Sequence, residues 1–154
     1  MLNDGDVAPD FELAEDGGNI FRLSLLKGRL VVLYFYPKDD TSGCTTEAKD
    51  FSCLIGAFNA QGAEVIGVSP DSTASHEKFR NKHGLTVRLA ADEAKVAALA
   101  YGVWVERSMY GKRYMGVERS TFLIDKSGHI ARSWRSVRVP GHADEVLAAV
   151  TALR

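Results

Sequence analysis

Residues 30–36, LVVLYFY, form an unbroken apolar run rich in β-branched and aromatic side chains, closed by Pro37. A strand with one wet face alternates apolar and polar positions. This run does not alternate, so it must be covered on both faces, as at the centre of an α/β sheet. With 154 residues, 45% hydrophobic and 25% charged, one domain spanning 1–154 is expected. A chain of this size removes roughly two-thirds of its unfolded surface from water.

The flanking sequence alternates strand and helix signals. FELAEDGGNIFRL reads as an N-terminal β-hairpin turning at Asp16-Gly17-Gly18-Asn19, residues that tolerate positive φ. From Cys44, Ala48, Phe51, Ile55 and Phe58 recur at helical spacing, predicting one helix that runs out before Gln61-Gly62. EVIGVSP is a second buried strand. SHEKFRNKHG predicts a helix ended by Gly84, with a start signal in Ser69-Pro70-Asp71-Ser72. TVRLAAD reads as a strand, and 92–101, DEAKVAALAY, as a helix opening on acids that suit its positive end. Extended runs follow around Tyr110-Gly111-Lys112 and Lys126-Ser127-Gly128, and HADEVLAAVTALR predicts a closing amphipathic helix. The fold class is mixed α/β.

Charge narrows the function. The net charge is −1, and the 19 basic residues are scattered, so no electrostatic footprint for nucleic acid or an anionic membrane is present. The start, MLNDGDVAPDF, is acidic and lacks the pattern of a signal peptide, and no apolar run approaches the ~20 residues of a membrane span. A cytoplasmic chain is expected. Its two cysteines then argue against a structural disulfide framework, and their C-x8-C spacing fits no usual zinc pattern. No metal, haem or flavin cofactor is expected.

Cys44 falls in the first turn of its predicted helix, where unpaired backbone N–H groups and the helix dipole favour a thiolate. At about 100° per residue it shares a face with Ala48, Phe51 and Ile55, so the sulfur points inward at the sheet's edge. Thr41, three residues earlier, can offer its hydroxyl to the sulfur or to an oxygen arriving there, and Pro37 fixes φ where strand becomes loop.

The arrangement Pro37-x-x-x-Thr41-x-x-Cys44 resembles the active-site motif of peroxiredoxins. YPKDDTSGCTTEAKDF resembles their peroxiredoxin Q, or bacterioferritin comigratory protein, subfamily. The likeness extends through GDVAPDFEL, EVIGVSPDS and YGVWVERSMYGKRYMGVERSTFLIDKSGHI. It implies a thioredoxin-like fold and a Cys44 that attacks hydrogen peroxide and organic hydroperoxides. Thr41 and Arg119 match the family's other active-site positions, and Pro37 shields the sulfur. Breaking an O–O bond builds charge on the departing oxygen, so donors are needed there. Thr41, the backbone N–H groups of Cys44 and Gly43, and the Arg119 guanidinium are the candidates, with Glu47 placed to orient Arg119. The resemblance also implies a monomer or weak homodimer.

Attack would leave Cys44 as a sulfenic acid, which needs a thiol. Many relatives carry a resolving cysteine five residues on, where this chain has Lys49, and a proline where it has Ser42. Cys53 lies nine residues on, about 13 to 14 Å along an intact helix, beyond the ~7 Å limit for a disulfide. A one-cysteine cycle is therefore expected, with thioredoxin, glutaredoxin with glutathione, or another thiol as reductant. The alternatives are a Cys44–Cys53 disulfide after helix unwinding and an intermolecular one. A cysteine hydrolase would need a histidine base, yet His76, His83, His129 and His142 all lie away from the cysteine loop in sequence and read as solvated. A disulfide carrier would show C-x-x-C, which is absent. A thioredoxin-like binding or holdase module would need an exposed apolar patch, for which Trp104, Met109, Tyr110, Tyr114 and Met115 are the nearest thing.

Overall fold

The structure, a computed structural model, describes residues 2–153. Its strands are β1 (Glu12–Glu15), β2 (Ile20–Arg22), β3 (Leu30–Phe35), β4 (Ala63–Ser69), β5 (Arg88–Ala91), β6 (Trp104–Met109), β7 (Lys112–Val117), β8 (Ser120–Ile124) and β9 (Ile130–Trp134). Its helices are α1 (Ser42–Cys53), α2 (Ile55–Ala60), α3 (Thr73–His83), α4 (Val96–Ala100) and α5 (His142–Leu153). Arg154, the last residue of the expected closing helix, lies outside the described residues.

Seven strands form one sheet in the order β2-β1-β5-β4-β3-β8-β9, and β6 pairs with β7 in a separate hairpin. β3 runs parallel to β4 and antiparallel to β8, and β4 runs parallel to β5. The sheet is thus mixed, with helices on both faces and the N-terminal hairpin at one edge, a thioredoxin-like arrangement.

All six residues of β3 are buried, and they divide by parity. Val31, Leu33 and Phe35 join a core with Phe11, Tyr101, Phe122 and α4's Ala97 and Ala98. Leu30, Val32 and Tyr34 join a second core with α1's Cys44, Ala48 and Phe51, α3's Phe79 and α5's Val146 and Val150. This is the physical content of the non-alternating run: each parity fills its own core. Gly67 on β4 leaves room for Tyr34, whose Cζ lies 2.6 Å from where a Cβ would stand. The Tyr34 ring stacks on Phe51 at 4.6 Å between centroids, tying the central strand to the cysteine helix.

Two elements differ from the sequence expectation. The helix predicted from Cys44 to before Gln61 breaks at Leu54 (φ −95°, ψ 4°) into α1 and α2. Ser52 at that break accepts the N–H groups of Thr86 (3.1 Å) and Val87 (3.1 Å). The helix predicted over 92–101 forms only from Val96. Asp92 is held outside it, accepting the N–H groups of Ala97 (3.2 Å) and Ala98 (2.9 Å), while Lys95 takes a left-handed conformation (φ 58°). An acid at a helix start can cap it as well as belong to it.

Candidate active site

Strand β3 ends beside β4, and the chain turns through 37–41 into α1 at the C-terminal edge of the parallel strands, where α/β sheets usually place ligands. Pro37 is exposed at the start of this loop. Thr41 is the extended residue before α1 (φ −86°, ψ 156°), and its hydroxyl donates to the Lys38 carbonyl at 2.8 Å rather than capping the helix. With its proton committed, the Thr41 oxygen meets an arriving molecule as an acceptor. The first intrahelical bond runs from Thr45 N–H to the Thr41 carbonyl (2.8 Å), so the N–H groups of Ser42, Gly43 and Cys44 stand outside the helical ladder.

Cys44 is 2% exposed. The register between β3 and β8 pairs Phe35 with Ser120, so Arg119 leaves the sheet beside Tyr36, where the cysteine loop begins. Its Nη2 donates to the Cys44 sulfur at 3.3 Å, and its Nη1 to Glu47 Oε1 at 2.7 Å. The Arg119 carbonyl accepts the Val137 N–H (2.9 Å), which fixes its backbone. Gly43 leaves the guanidinium its place: a Cβ there would lie 3.2 Å from Nη2.

Glu47 is 2% exposed, one turn beyond Cys44. Burial raises its pKa to about 7, against the charge and hydrogen bond of Arg119. Its Oε2 and the Tyr34 hydroxyl, both buried, have no hydrogen-bond partner among the described residues. The ion pair therefore satisfies only half of the carboxylate, and burial prevails. Glu47 is thus a buried partner of Arg119 rather than a solvated first-turn acid.

Cys53 ends α1 and is exposed; both cysteines are free. Glu47, Ala48 and Phe51 are buried between them.

Two of the four histidines correct the sequence expectation of solvated roles, while His83 and His129 remain partly exposed. His76 is 0% exposed and reaches the cysteine loop at Asp39; His142 is also buried, its Nε2 2.8 Å from Thr121 Oγ1. Neither forms a hydrogen bond with the Cys44 sulfur. In α3 the sole large apolar residue is Phe79, and His76 precedes it by three, on the same face. That spacing was the signal for burial.

The site and fold together define a thioredoxin-fold protein with a buried thiol at a helix start, held by an arginine. The sequence matches the AhpC/TSA family over residues 5–133, and the chain belongs to that family. It is 50% identical over 143 residues to Peroxiredoxin Bcp of Bacillus subtilis, covering 93% of this chain and 91% of that one. Among solved structures it resembles the bacterioferritin comigratory protein of Xanthomonas campestris, with 44% identity, TM-score 0.88 and coverage of 92% and 90% of the two chains. It also resembles a cysteine-to-serine mutant of Xylella fastidiosa PrxQ, with 40% identity, TM-score 0.94 and coverage of 99% and 97%. Its activity is that of this group, thiol-dependent reduction of peroxide. No helix among the described residues is long and apolar enough to cross a membrane.

Proposed function

We propose that Cys44 is the peroxidatic residue and that residues 1–154 work as one catalytic domain. The observation that carries this reading is the hydrogen bond from Arg119 to the Cys44 sulfur. The fixed positive charge stabilises the thiolate and, once a peroxide enters, the charge that develops on its oxygens. Thr41 accepts the peroxide O–H. The N–H groups of Gly43 and Cys44 donate to the peroxide oxygens, Glu47 orients Arg119, and Pro37 fixes the loop's departure from the strand and shields the sulfur.

The thiolate attacks one peroxide oxygen. An S–O bond forms, the O–O bond breaks, and its electron pair leaves on the second oxygen, which takes up a proton to give water or an alcohol. Sulfur is oxidised by two electrons to a sulfenic acid. A thiol condenses with it, releasing water and forming a mixed disulfide, and a second thiol exchanges to restore Cys44. Hydrogen peroxide and organic hydroperoxides both fit. Alkyl peroxide reduction is an activity reported for the similar Xanthomonas campestris protein.

The reducing thiol is external in this reading: thioredoxin, glutaredoxin with glutathione, or another small thiol. Bringing Cys53 to Cys44 requires unwinding α1, which removes Phe51 (0% exposed) from its stack and breaks the Ser52 bonds to Thr86 and Val87. Cys53 is exposed at the helix break, so its accessibility is the one observation favouring the alternative. The protein works in the cytoplasm as a monomer or weak homodimer, a compartment that suits two free cysteines.

Peroxide consumption with a thiol reductant tests the assignment. Cys44→Ser abolishes turnover and Cys53→Ser retains it. Loss of turnover in Cys53→Ser alone would favour the two-cysteine cycle, and turnover by Cys44→Ser would overturn the assignment. A binding or holdase role for the exposed Met109, Tyr110 and Met115 would instead leave client binding intact in Cys44→Ser.

A further inference from the structure

Asp39 lies in the loop between Pro37 and Thr41, yet it is buried. Both its carboxylate oxygens are engaged. Oδ1 accepts the Tyr36 hydroxyl at 2.6 Å, and Oδ2 accepts the Ser75 hydroxyl at 2.8 Å and lies 2.7 Å from His76 Nδ1. On its other side, His76 Nε2 lies 3.0 Å from the Ala90 carbonyl. A carbonyl only accepts, so Nε2 carries a proton. Asp39 already accepts two hydroxyl donors, and toward a carboxylate its third partner, Nδ1, is a donor as well. The ring that satisfies both neighbours is an imidazolium.

The groups facing His76 agree on its charge. They are Asp39 from the loop, Tyr36 at the end of β3 (3.4 Å from Nδ1), Asp71 from the β4–α3 connection and the Ala90 carbonyl of β5. Burial opposes the charge, but the hydrogen bond and charge of Asp39, the Ala90 carbonyl and Asp71 outweigh it and hold His76 above its ordinary pKa. Asp71 also accepts the Asp39 N–H at 2.8 Å and the Ser69 hydroxyl at 2.7 Å. The Asp39, Asp71 and His76 ligand atoms lie within 4.8 Å of one another, but this hydrogen bonding already commits them. Next in the loop, Asp40 takes a left-handed conformation (φ 60°) and is held by Lys82 (2.7 Å) and His83 (2.8 Å) at the end of α3. Helix α3 thus grips the cysteine loop at two consecutive residues.

We infer that His76, as an imidazolium bonded to Asp39, is a positioning residue for peroxide reduction: it fixes the 37–41 loop and thereby the Thr41 oxygen and helix-start N–H groups around Cys44. A neutral ring can satisfy only one of its two neighbours: its lone pair faces either the Asp39 carboxylate or the Ala90 carbonyl, and the packing between α3, β5 and the loop has to shift to relieve the repulsion. The inference rests on the reading of Cys44 as the peroxidatic thiolate.

The test joins a spectroscopic signature to a pH profile. Nitrogen NMR of the reduced wild-type protein is expected to show both His76 ring nitrogens protonated at pH 7. The second-order rate constant for hydrogen peroxide, followed by stopped-flow fluorescence, should fall on the alkaline side with the midpoint of the His76 titration. In His76→Gln this limb disappears and the pH 7 rate constant drops about 10-fold. In Asp39→Asn the His76 midpoint moves down. A neutral His76 ring at pH 7, or a rate profile whose alkaline limb does not follow His76 in the wild-type protein, overturns the inference even if a variant fails to fold. If instead the Cys44 assignment is at fault, Cys44→Ser keeps its peroxide reactivity while the His76 spectrum is unchanged, so the two failures are distinguishable.

Discussion

Arg119 and Cys44, 75 residues apart in sequence, meet with the guanidinium Nη2 3.3 Å from the sulfur. The same guanidinium is held from behind by Glu47, so its charge is fixed before any peroxide arrives. Arg119→Lys keeps the charge but loses the fork that reaches sulfur and carboxylate together. Its rate constant with hydrogen peroxide should fall about 100-fold, the usual cost of removing one such donor. Stopped-flow oxidation checks this; a rate within twofold of wild type would contradict it.

Gly43 offers a finer displacement. Its replacement by alanine places a Cβ 3.2 Å from Nη2, moving the guanidinium off the sulfur while improving helix propensity. Gly43→Ala should lose about 10-fold in peroxide rate with an unchanged or higher Tm. A parallel loss of both would point to general unfolding.

Glu47 links the site to pH. Its pKa in the fold, about 7, lies above the ordinary 4.5, so its contribution to stability is fully present below about pH 4.5 and is lost as pH rises through about 7. Glu47→Gln stays neutral throughout. Its stability relative to wild type should therefore rise between pH 5 and pH 8 by on the order of 3 kcal/mol, with a matching rise in relative Tm. Thermal melts at the two pH values decide; a constant difference would show that burial does not govern this carboxylate.

His142 works with the opposite sign. Its pKa is lowered to about 4, chiefly by burial, with the Arg119 charge adding to it and Glu145 opposing. Its contribution is present above the ordinary value near 6.5 and is lost as pH falls through about 4. His142→Gln should flatten the acid limb of stability between those values. Urea midpoints at pH 4 and pH 7 measure it, and an unchanged acid limb would contradict the account.

How far the sequence carries the structure depends on the range of the interaction. The burial of 30–36 was legible because both parities are apolar, and the inward sulfur because Ala48 and Phe51 share its helical face. The break at Leu54 was not, since the apolar spacing continues through it and its anchor, Ser52, bonds Thr86 and Val87, 34 and 35 residues away. The approach of Arg119 followed from family resemblance alone, because it depends on β8 pairing with β3. The grip of His76 on Asp39, 37 residues apart, was missed for the same reason, although the spacing of His76 and Phe79 marked a buried face.

In the proposed cycle Cys44 alone takes the oxidation and an external thiol removes it. The most direct measurement treats reduced protein with one equivalent of hydrogen peroxide and reads intact mass, free thiols and the modified site. A gain of about 16 Da on Cys44, the mass of one oxygen, is expected, with Cys53 still free. A loss of about 2 Da with no free thiol would contradict the external cycle, and a Cys44 that stays reduced would contradict the assignment itself.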